Sequence, residues 1–144
     1  MPIKVMRFTE LEREILKTGK SVFDHLATDF GKVYVLAITR DGCPACEKQK
    51  ARLSELAITL AKKYGNKVIF IRVHIGYLEG SEEESLRSKD VFRHYFYPTN
   101  LILFRTRVRG AIEYYRNVSP DMDELKKNIE TAVEIATMIE KEMT

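Results

Sequence analysis

The chain has two cysteines, Cys43 and Cys46, and their type and spacing indicate chemistry more clearly than any other residues. Three residues apart, they would share one face of a helix, where one thiol can attack a disulfide formed at the other. Pro44 suits the first helical position. A thiol at that end faces unpaired backbone N–H groups and the positive end of the helix dipole, which stabilise its thiolate. The pattern predicts a redox dithiol with Cys43, exposed at the helix tip, as nucleophile and Cys46, on the inner face, as resolving thiol.

Metal binding is the main alternative for this pair. Structural zinc takes four ligands, and the remaining candidates are three histidines scattered without ligand spacing: His25, His74 and His94. We therefore predict no metal and no cofactor other than the redox-active Cys43–Cys46 disulfide. Zinc shared between two chains and an inert cysteine pair stay open as alternatives.

The elements that must position the dithiol predict an α/β fold. Residues 33–38 form a continuous apolar run, which is typical of a central strand covered on both faces. An Asp41-Gly42 turn then leads into a helix over residues 44–64, whose inner stripe includes Gln49. The later pattern predicts strands at 68–75, 101–104 and 111–116, a short helix marked by Val91, Phe92 and Tyr95, and a last helix capped by Ser119 and Pro120. This order gives a mixed sheet.

The residues before the first predicted strand read as helical. Thr9 to Glu12 has the form of a capping box, and a second helix is expected from Ser21 to near Gly31. Residues 1–144 are therefore predicted to be a single domain, with an N-terminal helical segment at 1–31 and a core at 32–144.

The composition of the chain indicates which partners, which cellular compartment and which kind of source organism to expect. Lys and Arg number 24 against 21 Asp and Glu, too balanced for a nucleic-acid footprint. No apolar run is long enough for a membrane span, and the N-terminus has no apolar signal region, so we expect a cytoplasmic protein that contacts neither nucleic acid nor membrane. The charged fraction of 31%, the single Gln and the absence of Trp resemble thermophile proteins. The basic run is interpreted as a solvated hairpin face: Arg105, Arg107 and Arg109.

From Lys32 to the C-terminal helix, the sequence resembles the thioredoxin superfamily. The resemblance rests on an apolar strand running into Cys43-Pro44-Ala45-Cys46, on the order of elements after it, and on Tyr97-Pro98-Thr99 opening a later strand. It implies a thioredoxin-like three-layer α/β/α fold and a protein-disulfide oxidoreductase. It also implies a cis Pro98 packed against the dithiol, beside a Tyr97 backbone that binds substrate. The implied partners are protein disulfides or dithiols and a reductase or other thiol donor. The residues implied to bind substrate are Tyr97, Pro98 and Thr99, and those implied to support the dithiol are Gly42, Pro44 and Ala45.

The sequence departs from the family at several positions. Thioredoxins carry a tryptophan where this chain has Gly42, and a buried acid where it has Ala37. The Pro-Ala pair between the cysteines is closer to glutaredoxins, yet residues 105–112 hold only Gly110 in place of the glycine pair that glutaredoxins use for glutathione. The natural substrate and electron donor therefore stay unassigned, and a binding or redox-sensing module without turnover is the alternative function.

A few other side chains are weaker candidates. A lysine near the position of Arg72 helps to tune the resolving cysteine in thioredoxins, which makes Arg72 a candidate here. Asp41 lies next to the dithiol, but turn formation alone explains it, and His74 and His94 are interpreted as structural. The protein is predicted to be a monomer, with a dimer contact through the last helix as the alternative.

Overall fold

A five-stranded mixed sheet organises the chain in a computed structural model that describes residues 3–77, 80–118 and 121–143. The elements in chain order are β1 (Ile3–Arg7), α1 (Phe8–Thr18), α2 (Val22–Leu26), β2 (Val33–Arg40), α3 (Pro44–Tyr64), β3 (Val68–Ile75), α4 (Glu83–Phe92), β4 (Thr99–Thr106), β5 (Gly110–Asn117) and α5 (Met122–Met143). A 3₁₀ turn at Gly65–Lys67 joins α3 to β3.

The strands lie in the order β1-β3-β2-β4-β5. β1 and β2 each pair in parallel with β3, while β4 is antiparallel to both β2 and β5. β2 is the central strand, and every residue of it except the last is buried, as its continuous apolar run predicts. The predicted α/β sheet of mixed direction is confirmed.

Helices cover both faces of the sheet. Alternate β2 residues point to opposite sides: Val33, Val35 and Ala37 pack in a core with α3 and α5. Tyr34, Leu36 and Ile38 pack in a second core with α1, α2 and α4. The period of two along a strand divides its side chains in this way, and the result is the expected three-layer α/β/α arrangement.

The N-terminal residues differ from the helical pattern expected for them. Residues Ile3–Arg7 form an edge strand in register with β3, so that Arg7 pairs with His74. The predicted capping box is wrong: α1 begins at Phe8, its N-cap residue is Arg7, and no side chain caps it. The chain enters α1 directly from a strand, and the burial of Phe8 anchors this junction.

Two other predicted boundaries also shift. α2 ends at Leu26 rather than near Gly31, and the Asp29 N–H instead donates a hydrogen bond of 3.1 Å to the Tyr34 hydroxyl. Tyr95 was expected in the helix that is α4, but Arg93 adopts a left-handed φ of 56° and ends it, leaving Tyr95 80% exposed. The predicted Ser119-Pro120 helix start lies outside the described residues. None of the described helices has the length and apolar character needed to cross a membrane.

Candidate active site

The sharp turn between β2 and α3 places the cysteine pair at one end of the sheet. Gly42 has a φ of +67°, in the left-handed region, and a Cβ added there would meet no atom within 4 Å. The backbone conformation, not the space, therefore favours glycine here, since other residues pay about 1–2 kcal/mol for it. Cys43 is the N-cap residue of α3 and Pro44 occupies the first helical position.

The two cysteines form a disulfide across the first turn of α3. Their Cα atoms lie 5.3 Å apart, which suits a disulfide. The Cys46 N–H donates a hydrogen bond of 3.2 Å to Cys43 Sγ. When the pair is reduced, this N–H and the helix terminus would stabilise negative charge on Cys43. The predicted exposure of Cys43 at the helix tip is wrong, because both cysteines are 8% exposed. The two sulfur atoms differ instead in that Cys43 Sγ accepts a backbone N–H.

The loop before β4 lies against the dithiol. The Tyr97–Pro98 peptide bond is cis, and the Tyr97 carbonyl oxygen is 3.7 Å from Cys43 Sγ. The Thr99 hydroxyl donates a hydrogen bond of 2.6 Å to the Phe96 carbonyl, which ties the two ends of the loop together. The structure thus brings Tyr97 to the cysteine pair, with the buried Pro98 and Thr99 beside it.

Side chains from three elements fix the Tyr97 ring. Its hydroxyl lies 2.7 Å from Ser85 Oγ, and the His94 ring packs edge-on with a centroid separation of 4.9 Å. The Arg40 guanidinium lies over the Tyr97 ring at 5.4 Å and over the Tyr77 ring at 4.7 Å. Burial raises the pKa of Tyr97. The sequence did not indicate Arg40 or Ser85, because neither belongs to a motif.

The burial of His94, which packs against Tyr97, makes the stability of the protein depend on pH in the acid range. It is 2% exposed, and burial lowers its pKa to about 4, with Lys89 and Arg116 acting in the same direction. An unfolded histidine titrates near 6.5. Between these two pH values the unfolded chain binds a proton that the native state does not, so this contribution is complete above about pH 6.5 and is lost as the pH falls toward 4.

We therefore expect the free energy of unfolding to decrease by about 2–3 kcal/mol between pH 7 and pH 4.5 through His94 alone. Urea unfolding of the wild type and His94→Gln at both pH values measures it. The variant should lose most of this pH dependence. His25→Gln, which changes a histidine paired with Glu14, should keep it. Equal pH dependence in the wild type and His94→Gln would contradict the prediction.

Three uncharged amide side chains form a hydrogen-bond network that begins one helical turn after Cys46. Gln49, one turn along α3, and Asn100, on β4, exchange two side-chain hydrogen bonds of 2.9 and 2.8 Å. Asn100 also donates to Asn117 at 3.0 Å. Gln49 and Asn100 are 1% and 0% exposed, and Asn100 pairs across the sheet with Ala37. Among the described residues, no carboxylate donates to or accepts from these hydrogen bonds. The sequence signal for the network was the polar Gln49 on the apolar stripe of the helix.

A cavity of about 450 Å³ opens on the Cys46 side of the dithiol, between α3 and the strands β1, β2 and β3. His74 bridges two of its lining residues: its Nε2 lies 2.6 Å from Asp41 Oδ1 and its Nδ1 lies 2.9 Å from Thr39 Oγ1. The hydrogen bond with His74, followed by that from the Tyr77 N–H, lowers the pKa of Asp41. Arg72 also lines this cavity.

The remaining predicted candidates lie apart from the dithiol. His25 pairs with Glu14, and His94 bonds Ser88, so the three histidines do not converge. Across residues 3–77, 80–118 and 121–143, no group of three or more His, Cys, Asp or Glu could hold a metal ion. In the basic run, Arg105 pairs with Asp24 and Arg107 with Glu142.

Solved thioredoxin structures match most of the chain. Thioredoxin of Trichomonas vaginalis, 15% identical, gives a TM-score of 0.59 over 90% of this chain and 96% of its own. A Nicotiana alata thioredoxin, 21% identical, gives 0.58 over 91% and 94%. Oxidised thioredoxin O2 of Arabidopsis thaliana, 18% identical, gives 0.54 over 90% and 93%. No protein-family model and no curated protein matches the sequence. The resemblance seen in the sequence is confirmed at the level of architecture: this chain has the thioredoxin-like fold.

Proposed function

We propose that the protein is a thiol-disulfide oxidoreductase that exchanges disulfides with protein substrates through Cys43 and Cys46. One observation carries the proposal: Cys43 Sγ sits at the N-terminus of α3, accepts the Cys46 N–H, and faces the Tyr97 carbonyl. A helix-terminal thiolate with a second thiol one turn away has what disulfide exchange requires, an activated nucleophile and a group to release it.

The reaction proceeds in two displacements. The Cys43 thiolate attacks a substrate disulfide, so that a bond from Cys43 to one substrate sulfur forms and the other substrate sulfur leaves as a thiolate that takes a proton from water. Cys46, having lost its proton, then attacks Cys43 Sγ and releases the second substrate thiolate. The substrate gains two electrons and the dithiol loses them. A reductase or another thiol donor returns the pair to the dithiol, and the opposite net direction uses the same steps in reverse.

The loop before β4 is the proposed substrate-binding surface. The backbone of Tyr97, with Pro98 and Thr99, would hold an extended substrate segment against Cys43. Phe96 and Tyr95 next to it are 63% and 80% exposed and would add apolar contacts to such a segment. Gly42, Pro44 and Ala45 would support the dithiol by shaping the turn and the first helical residues.

The proposal also covers the compartment, the kind of source organism, the oligomeric state and the domain organisation. We infer a cytoplasmic protein from a thermophile, acting as a monomer, with residues 1–144 as one domain in which the segment 1–31 contributes β1, α1 and α2 to the same sheet and core as residues 32–144. A dimer through α5 is the alternative to the monomer. A redox-sensing or binding module without turnover is the alternative function, and the observation that favours it is Ala37 in place of the family's acid.

Catalysed reduction of a protein disulfide tests the proposal. With dithiothreitol as donor and catalytic amounts of protein, the wild type should accelerate reduction far above the uncatalysed rate. Cys43→Ser should fall to that background, because the serine hydroxyl has no thiolate to attack with. Circular dichroism of the variant controls for folding. Activity that survives Cys43→Ser in a folded protein would reject Cys43 as the nucleophile.

A further inference from the structure

We propose that the cavity beside Cys46 is a binding site for a small carboxylate with an apolar body, held by Arg72. The described residues that line it include Cys46 but not Tyr97, Pro98 or Thr99. It goes beyond the proposed disulfide exchange and does not depend on it, since binding can occur whether or not the cysteines turn over.

Arg72 carries a charge that the described part of the protein leaves unpaired. Its Nε is buried and has no hydrogen-bond partner there, and the side chain makes no ion pair with any described residue. Its cross-strand neighbours are Val5 on β1 and Ala37 on β2, and neither side chain can accept a hydrogen bond. Arg72 is half-buried, but a buried N–H such as its Nε–H is normally satisfied by an acceptor, so this arrangement points to an acceptor supplied from outside the chain.

The two acids that line the cavity do not neutralise Arg72. Both carboxylate oxygens of Asp41 are occupied, one by His74 and the other by the Tyr77 N–H. Glu47 is exposed on α3 and forms no ion pair with Arg72. Arg40 and Lys50 also line the cavity, so that three side-chain cations, Arg72 included, stand against the two acids. The charge of the cavity therefore favours an anion.

The size and walls of the cavity define the ligand. A volume of about 450 Å³ is in the range of small-molecule sites. Ile3, Val5 and Leu53 provide apolar walls. A planar guanidinium binds a carboxylate with two parallel hydrogen bonds, a geometry that a point charge does not provide. A compact carboxylic acid with an aromatic or branched apolar part fits the volume, the apolar walls and the guanidinium. Such a ligand would lie next to Cys46.

Titration with benzoate, followed by ¹⁵N NMR of the oxidised full chain, tests the proposal, and benzamide is the neutral control of the same shape. Benzoate should shift the Arg72 Nε–H resonance and the amides of β3 and the first half of α3 saturably, with a Kd on the order of 1 mM. Benzamide should not. Arg72→Gln should weaken benzoate binding by about tenfold or more. Arg52→Gln, the same change at an exposed position of α3 outside the cavity, should leave it unchanged.

Three results would each overturn the site. They are the absence of a saturable benzoate shift at the cavity, benzamide shifts of the same resonances with equal affinity, and benzoate binding by folded Arg72→Gln as tight as that of the wild type. The comparison of benzoate with benzamide uses the unaltered protein, so it decides the question even where a variant does not fold. Thermal unfolding gives an independent readout, because a ligand bound only by the native state raises Tm with concentration.

Discussion

Replacing Cys46 with serine is expected to turn a transient complex at Cys43 into a stable covalent one. Cys43 would still attack substrate disulfides, helped by the backbone N–H of residue 46, which the substitution keeps. No thiol would remain to displace the bound substrate. The fraction of protein in mixed disulfides should rise from a trace in the wild type to most of the Cys46→Ser protein. Non-reducing gels after incubation with cell extract or a purified protein disulfide measure it.

The double variant Cys43→Ser/Cys46→Ser is the matched control and should form no adducts. Adducts that dithiothreitol reverses would also identify the natural substrates. If folded Cys46→Ser forms no adducts, the result favours the alternative function, a binding or redox-sensing module without turnover. Stoichiometric zinc in wild-type protein purified without chelators would favour the metal-binding alternative.

Ala37→Asp is expected to accelerate the second displacement, in which Cys46 attacks Cys43 Sγ and releases the substrate. Ala37 is 1% exposed, points toward α3, and pairs with Asn100, which contacts Gln49 one turn beyond Cys46. In thioredoxins an acid at this position is thought to accept the proton of the resolving thiol, whereas the amide network here is neutral. A buried thiol without such an acceptor has a small thiolate fraction at neutral pH. Release of substrate from Cys43 should therefore be slow in the wild type and accelerate as the pH rises.

The new carboxylate should speed this release near pH 7. Its burial costs several kcal/mol, which Arg72, its neighbour on β3, would partly offset. Single-turnover release of a thiol-linked chromophore from Cys43 between pH 6 and 9 measures the step. Ala37→Asn, equal in size but uncharged, should not accelerate it. Fast, pH-independent release in the wild type would show that another group already assists Cys46, with Glu47 as a proton acceptor or Arg72 as a cation that stabilises the thiolate.

The dithiol and the elements around it could be predicted because their signals are local. The apolar run of β2, the turn at Gly42, and Pro44 between cysteines three residues apart all lie within one continuous segment. The bounds of α3 and β3 follow in the same way, since a proline, a glycine and a buried strand mark them. The position of Tyr97 next to Cys43 was expected only through the family resemblance, because 54 residues separate the two.

What the sequence did not predict depends on pairing between distant residues. β1 is only five residues long, and its register is defined by β3, so the pattern of residues 3–7 alone did not identify a strand. The Gln49–Asn100 bonds join residues 51 apart. The unpaired state of Arg72 likewise follows from which side chains the neighbouring strands place beside it. These features require the three-dimensional register, not a motif.

Disulfide exchange between the Cys43–Cys46 pair and a protein substrate can be measured stoichiometrically, without any external reductant. Reduced wild-type protein is mixed with a purified protein disulfide, the reaction is quenched with an alkylating reagent, and mass spectrometry counts the thiols on both proteins. Each substrate disulfide that is reduced should be matched by one new Cys43–Cys46 disulfide. The reverse mixture, oxidised protein with the reduced substrate, covers the opposite direction. A substrate that stays unchanged in both mixtures, or a cysteine pair that becomes oxidised while the substrate gains no thiols, would contradict disulfide exchange.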